Sequence, residues 1–173
     1  EDEARAAGIT GFIAKPLFKT TLYHSLSPFA ETEHQELEAS EPQVDFSGKR
    51  LLMAEDNEMN WEIASTLLET YGFELTWAEN GEVCVAKFEE SEPGYYDAVL
   101  MDLRMPVMNG YEATKAIRNS GRPDADIPII AMTADAFSED VQRCLDCGMN
   151  AHTAKPLDMK AVLKILQKFV FKE

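Results

Sequence analysis

The sequence predicts an α/β domain: a doubly wound, five-stranded parallel sheet with helices on both faces. Three observations carry that prediction. Residues 51–54, 98–101 and 129–132 are unbroken apolar runs, the pattern of strands buried on both faces and hence of a parallel sheet. Helical patterns separate the runs, so strands and helices alternate. Each run also stops on a polar residue: Glu55-Asp56 after the first, Asp102 after the second, Thr133 after the third. A weaker candidate, Ala151-His152-Thr153-Ala154, ends in Lys155-Pro156. Function in such sheets collects in the crevice beyond the carboxyl ends of the strands, and here those ends carry three carboxylates, a hydroxyl and an amine.

The elements follow in order. The first strand is expected over 50–54. Asp56-Asn57 offers an N-cap to a helix whose apolar positions Met59, Ile63, Leu67 and Tyr71 recur every four residues, and Gly72 fits its stop. A second strand covers 73–78, after which Asn80-Gly81 turns into a helix around 83–88. The third strand ends at Met101 and a short helix covers 111–118. Gly121 and Pro123 mark the loop before the fourth strand. Residues 136–147 read as a helix ended by Gly148, and 151–154 as the fifth strand. Residues 159–171 close the chain as an amphipathic helix with Val162, Ile165, Leu166 and Phe169 inward.

At 173 residues the chain has room for one ordinary domain and a remainder, since domains cluster near about 100–150 residues. A net charge of −15 argues against nucleic acid or anionic lipid as a direct partner, because both are bound by clustered Lys and Arg. Cys84, Cys144 and Cys147 show no extracellular spacing pattern and read as reduced thiols of a cytosolic protein. Cys144 and Cys147 form a CxxC without a second Cys/His pair for zinc, so packing is their expected role. No signal peptide is evident, and no apolar stretch approaches the ~20 residues of a membrane span. The segment is expected in the cytoplasm without direct membrane contact, and inner-membrane anchoring of a longer parent stays open.

Between residues 31 and 41 the chain carries Glu31, Glu33, Glu36, Glu38 and Glu41 and no Lys or Arg. Charge of that density resists packing and reads as a linker, placed at 31–48, before a complete domain at 49–171. An internal repeat precedes it. An offset of 140 residues aligns Gly8 with Gly148, Ala14-Lys15-Pro16-Leu17 with Ala154-Lys155-Pro156-Leu157, and Leu26 and Phe29 with Leu166 and Phe169. Residues 1–30 therefore look like the last strand and helix of a similar domain, with a helix expected around 19–27; a native N-terminal extension is the alternative.

The polar residues at the strand ends define a chemistry. Two like charges about 4 Å apart repel by about 4 kcal/mol at an effective dielectric near 20. Glu55, Asp56 and Asp102 therefore need compensation, which a divalent cation and the Lys155 ammonium would supply. All-oxygen ligation by few protein groups suits Mg²⁺. With the Thr133 hydroxyl added, the inventory fits phosphoryl transfer to a carboxylate: a nucleophile, a metal, a cation and a hydrogen-bond donor.

The arrangement resembles the receiver domain of two-component response regulators over about 120 residues. The motifs that carry the likeness are Glu55-Asp56, Met101-Asp102 followed by Met105-Pro106 and Asn109-Gly110, Met132-Thr133-Ala134, and Ala154-Lys155-Pro156. The resemblance implies a flavodoxin-like fold with strand order 2-1-3-4-5, the order of chemotaxis receivers. It implies Asp102 as phosphoacceptor and Mg²⁺ (or Mn²⁺) on Glu55, Asp56, Asp102 and the backbone carbonyl of Arg104. It also implies Thr133 and Lys155 on the phosphoryl oxygens and a cis peptide bond between Lys155 and Pro156. The phosphoryl group would come from a histidine, on a kinase or on a phosphotransfer domain, and the domain would catalyse its own phosphorylation and dephosphorylation. Thr133 and the strand-five residue three before Lys155, His152, would form the switch; His152 departs from the usual Phe or Tyr, and the N-terminal copy has Phe12 there. Arg104 and Asp135, each two residues past a site residue, are expected to flank the crevice and set the lifetime of the acyl phosphate. A bacterial source, a parent hybrid sensor histidine kinase with tandem receivers, and an allowance for a homodimer complete the expectation.

Other readings meet specific obstacles. A pseudo-receiver acting only as an interaction scaffold would not need all five site residues, and a stand-alone response regulator would not need the N-terminal copy. A phosphatase of the haloacid-dehalogenase type needs a second Asp two residues after its nucleophile, where this chain has Arg104. In a flavodoxin-like flavin carrier, the acidic loop Glu55-Asp56-Asn57-Glu58 would repel the flavin phosphate. Taken one at a time, Asp102 could cap a helix and Thr133 could be the N-cap of the helix that follows it. Trp61 has no role beyond surface or partner contact.

Overall fold

Five short strands and five helices alternate strictly among the residues described by the computed structural model, 44–134 and 138–171. They are β1 (Arg50–Ala54), α1 (Glu58–Glu69), β2 (Glu74–Ala78), α2 (Gly81–Glu90) and β3 (Ala98–Asp102), then α3 (Gly110–Asn119), β4 (Ile129–Thr133), α4 (Ser138–Asp146), β5 (Ala151–Ala154) and α5 (Met159–Val170). All pairings are parallel and the strand order is β2-β1-β3-β4-β5. The doubly wound sheet expected from the apolar runs is thus observed, with the order that the resemblance implied.

The alternating pleat sorts the apolar runs into two cores. Leu52, Ala54, Val99, Met101, Ile129 and Ala131 face one side, where Cys84 and Phe88 of α2, Ala113 and Ile117 of α3 and Cys144 of α4 cover them. Leu51, Met53, Ala98, Leu100, Ile130 and Met132 face the other, under Ala64 and Leu68 of α1 and Val162 and Leu166 of α5. Every residue of β3 and β4 is buried, as strands covered on both faces require. Cys84 and Cys144 are buried in the core, with Cys147 half-buried beside them.

Several boundaries shift for identifiable reasons. Asn80 and Asn109 accept bonds from the backbone N–H groups of Val83 and Glu112 and cap α2 and α3. Those helices therefore begin at Gly81 and Gly110, before the first strongly apolar residue that marks them in sequence. Asn109 and Glu112 form a reciprocal capping box. The folded region also starts earlier than residue 49: Phe46 is buried and stacks on Phe73 at 4.4 Å between centroids. The N-terminal copy at 1–30 with its helix at 19–27, most of the linker and Asp135 lie outside the described residues.

The largest departure concerns α1. Its stripe Met59, Ile63 and Leu67 is exposed, at 69%, 56% and 40%, while Ala64, Ser65 and Leu68 are buried and Trp61 is half-buried. A constant step of four residues turns about 400° and drifts around the helix, whereas positions 61, 64, 65 and 68 follow the period of about 3.6 and stay on one face. Two of the residues that dock, Ala64 and Ser65, are small, so hydropathy hides them.

Candidate functional site

Parallel register brings the four strand ends to one edge of the sheet. Ala54 pairs with Met101, Asp102 with Met132, and Thr133 with Ala154. Glu55, Asp102, Thr133 and Lys155 therefore follow or close four adjacent strands. Glu55 and Asp102 are almost wholly buried, at 1% and 7% exposure, and Asp56 is exposed. The Lys155 ammonium lies 2.5 Å from Glu55 Oε2 and 2.7 Å from Asp102 Oδ2. Thr133 is buried at the end of β4, and its carbonyl accepts the Lys155 N–H at 2.7 Å. Neither single-residue alternative holds: Asn109 caps α3 in place of Asp102, and Ala134, directly after Thr133, is a bend and not the first residue of a helix.

The charges do not balance. Burial pushes the Asp102 carboxyl above its ordinary value, against the hydrogen bonds from Lys155 and the Arg104 N–H, and the neighbouring Glu55 adds to the rise. Burial also works against the Lys155 ammonium, but the carboxylates of Asp102 and Glu55 outweigh it and raise its pKa. Lys155 is thus held as a cation, and one cation faces three carboxylates. Glu55, Asp56 and Asp102 can each offer an oxygen with all three within 4.8 Å of one another. A donor set made only of carboxylate oxygens, short of positive charge and open to solvent through Asp56, fits a hard divalent ion such as Mg²⁺.

The loop after Asp102 is held from two sides. A Cβ on Gly110 would lie 2.2 Å from the Asp102 carbonyl oxygen, so only glycine lets α3 start against the site strand. The Gly81 N–H donates to the Met108 carbonyl at 3.1 Å, and a Cβ at Gly81 would meet that oxygen at 2.4 Å. Between these anchors Val107 adopts φ +67°, a left-handed conformation costly for a β-branched residue, and is 77% exposed. The Lys155–Pro156 peptide bond is cis.

Of the other residues expected at the site, Arg104 is exposed at its mouth, with its N–H on Asp102 Oδ1 at 3.1 Å. His152 is half-buried on β5 opposite Ala131. Two residues that the sequence did not single out for the site touch Glu55. Asn60 Nδ2 donates to Glu55 Oε1 at 3.0 Å, and Trp77 Nε1 donates to the Glu55 carbonyl at 2.8 Å. Asn60 sits three residues past the cap Asn57, a spacing that returns it to the strand end; Trp77 carries no local signal.

Comparisons with known proteins agree with this geometry. The model of the response regulator receiver domain matches residues 51–167. Hybrid signal transduction histidine kinase I of Dictyostelium discoideum is 36% identical over 127 residues, 72% of this chain and 7% of that protein. The peroxide stress-activated histidine kinase mak1 of Schizosaccharomyces pombe is 35% identical over 122 residues, 69% of this chain and 7% of that protein. The chain thus spans a small fraction of the curated relatives it matches, and these relatives are eukaryotic, so the expected bacterial source is not supported. Among solved structures, the receiver domain of a Pseudomonas aeruginosa PAO1 sensor histidine kinase has a magnesium ion coordinated in its active site cleft. It is 37% identical with a TM-score of 0.64, covering 72% of this chain and 98% of that one. The complex of the Saccharomyces cerevisiae phosphotransfer protein Ypd1 with the receiver domain of Ssk1 matches at 30% identity and TM-score 0.63, covering 70% and 88%. With an acidic pair, a buried aspartate, a threonine and a lysine on the carboxyl edge of a 2-1-3-4-5 sheet, this chain belongs to the response regulator receiver domain family, the phosphoacceptor modules of phosphorelay signalling.

Proposed function

We propose that Asp102 is the residue that accepts the phosphoryl group, from a phosphohistidine on a histidine kinase or a histidine phosphotransfer domain. An oxygen of the Asp102 carboxylate bonds to phosphorus as the P–N bond breaks. The electron pair of that bond returns to the imidazole nitrogen, which takes up a proton. Glu55, Asp56, Asp102 and the backbone carbonyl of Arg104 would hold Mg²⁺, with Mn²⁺ as a substitute. When bound, the ion neutralises charge on the transferring oxygens. The Lys155 ammonium and the Thr133 hydroxyl would bind those oxygens. Thr133 and His152 form the switch, and Arg104 and Asp135 slow hydrolysis of the acyl phosphate. The observation that carries the reading is the position of Lys155 between Glu55 and Asp102, at 2.5 and 2.7 Å, beside the exposed Asp56.

The exposed stripe Met59, Ile63 and Leu67 begins three residues past Asp56. A helical phosphotransfer partner that presents its histidine to Asp102 covers that stripe, helix against helix. The AKPL repeat and the hybrid kinases among the relatives support a parent hybrid histidine kinase with tandem receivers. In that parent 1–30 is the end of a preceding receiver, the acidic stretch from 31 up to Val44 is a linker, and this segment faces the cytoplasm. No helix among the described residues is long and apolar enough to cross a membrane.

The test is phosphorylation of the 173-residue chain with acetyl phosphate and Mg²⁺, read by intact mass. One phosphoryl group is expected on the wild type and none on Asp102→Asn. Labelling that survives in the Asn variant, or no labelling of the wild type, would overturn the assignment.

A further inference from the structure

We propose that Asn60 and Trp77 are positioning residues for the acidic turn, together clamping Glu55 so that its carboxylate and that of Asp56 converge on Asp102. This rests on the reading of Glu55, Asp56 and Asp102 as the metal-holding group. Every polar group of Glu55 is engaged. Its N–H donates to the Ala78 carbonyl at 3.0 Å, and its carbonyl accepts the indole N–H of Trp77 at 2.8 Å. Its Oε1 accepts the Asn60 amide at 3.0 Å and the Asn57 N–H at 3.3 Å, and its Oε2 accepts Lys155. A carboxylate buried this deeply is tolerated only when donors surround it.

The donors come from two elements that are themselves tied together. Asn60 lies in the first turn of α1, where its own N–H bonds to the cap Asn57 Oδ1 at 3.1 Å. Trp61, the next residue, stacks on Trp77 with 5.8 Å between centroids and 8° between planes. The Trp77 carbonyl in turn accepts the Lys87 ammonium at 2.6 Å. Asn60 grips the Glu55 side chain, Trp77 grips its backbone, and the stack of Trp61 on Trp77 closes the ring between α1 and β2. The peptide that Trp77 fixes is the one joining Glu55 to Asp56, so the aim of Asp56 depends on it. Outer partners of this kind commonly govern metal affinity as strongly as some ligands do.

The experiment is calorimetric titration of the 173-residue chain with Mg²⁺, beside thermal unfolding in chelator. Trp77→Phe keeps a ring against Trp61 but loses the N–H donor; Asn60→Leu keeps bulk but loses the amide. Each is expected to weaken Mg²⁺ binding about tenfold, with the metal-free unfolding midpoint lowered by no more than a few degrees. Two variants keep the test open if one fails to fold. Wild-type affinity in the folded variants would overturn the clamp and leave the metal reading intact. Absence of Mg²⁺ binding by the wild type would overturn that reading and the clamp with it.

Discussion

Lys155 Nζ lies 2.7 Å from Asp102 Oδ2 although 53 residues separate them in the chain. Strands β3 and β5 are not neighbours, since β4 runs between them. With strands about 4.8 Å apart, the lysine reaches back across roughly 10 Å of sheet edge. A long, flexible amine can do so and also touch Glu55. The ammonium offsets part of the charge of a cluster that the fold pushes together.

The buried charge leaves a stability signature. Burial raises the Asp102 pKa above the ordinary 3.8, so the ionised form weighs against the fold. The sign follows: the folded state binds this proton more tightly than the unfolded, so the stability it contributes is lost as pH rises through and above 3.8. Asp102→Asn keeps an acceptor for Lys155 and removes the charge. In chelator at neutral pH it is expected to be more stable than wild type by about 1 kcal/mol, a few degrees in midpoint. A less stable variant would mean that the bonds to Lys155 outweigh the burial.

The docking proposed for the exposed face of α1 can be tested apart from the chemistry. Met59→Glu and Ile63→Glu fall on residues 69% and 56% exposed, so stability should change by no more than about 0.5 kcal/mol. Transfer from a phosphotransfer protein should slow at least tenfold, while labelling by acetyl phosphate stays at the wild-type rate. Equal transfer rates would remove α1 from the docking surface.

Two substitutions near Asp102 should move stability in opposite directions. At Gly110 a Cβ meets the Asp102 carbonyl oxygen at 2.2 Å, and Gly110→Ala is expected to cost about 3 kcal/mol in urea unfolding. Val107 is exposed with φ +67°. Val107→Gly relieves the strain with little packing lost and should stabilise by about 1 kcal/mol.

Cys84 gives an alkaline limit. Burial pushes its thiol from the ordinary 9.0 up to about 12. The unfolded thiol ionises first, so the folded state loses stability as pH climbs from about 9 towards 12, by on the order of 4 kcal/mol in full. Cys84→Ala should flatten that slope in unfolding titrations between pH 8.5 and about 10.5, and the native thiol should resist alkylation at pH 8. An unchanged slope would show that other groups control it.

Apolar runs and their polar stops are local signals, and they were enough to place β1, β3 and β4 and to pick out Glu55, Asp56, Asp102 and Thr133; β5 and Lys155 followed from a weaker pattern. A strand buried on both faces must be apolar throughout, and its end must be polar where water begins, so both facts are written into consecutive residues. The face that α1 buries was not written that way. Ala64 and Ser65 dock because they are small and let the helix approach the sheet, while Met59, Ile63 and Leu67 point outward despite their hydropathy. Nor could a pattern in sequence pair Trp77 with the Glu55 carbonyl 22 residues away. That contact exists only once β2 lies beside β1. What the sequence by itself determined was which chemistry gathers at the sheet's edge; what tertiary structure decided was which neighbours aim it.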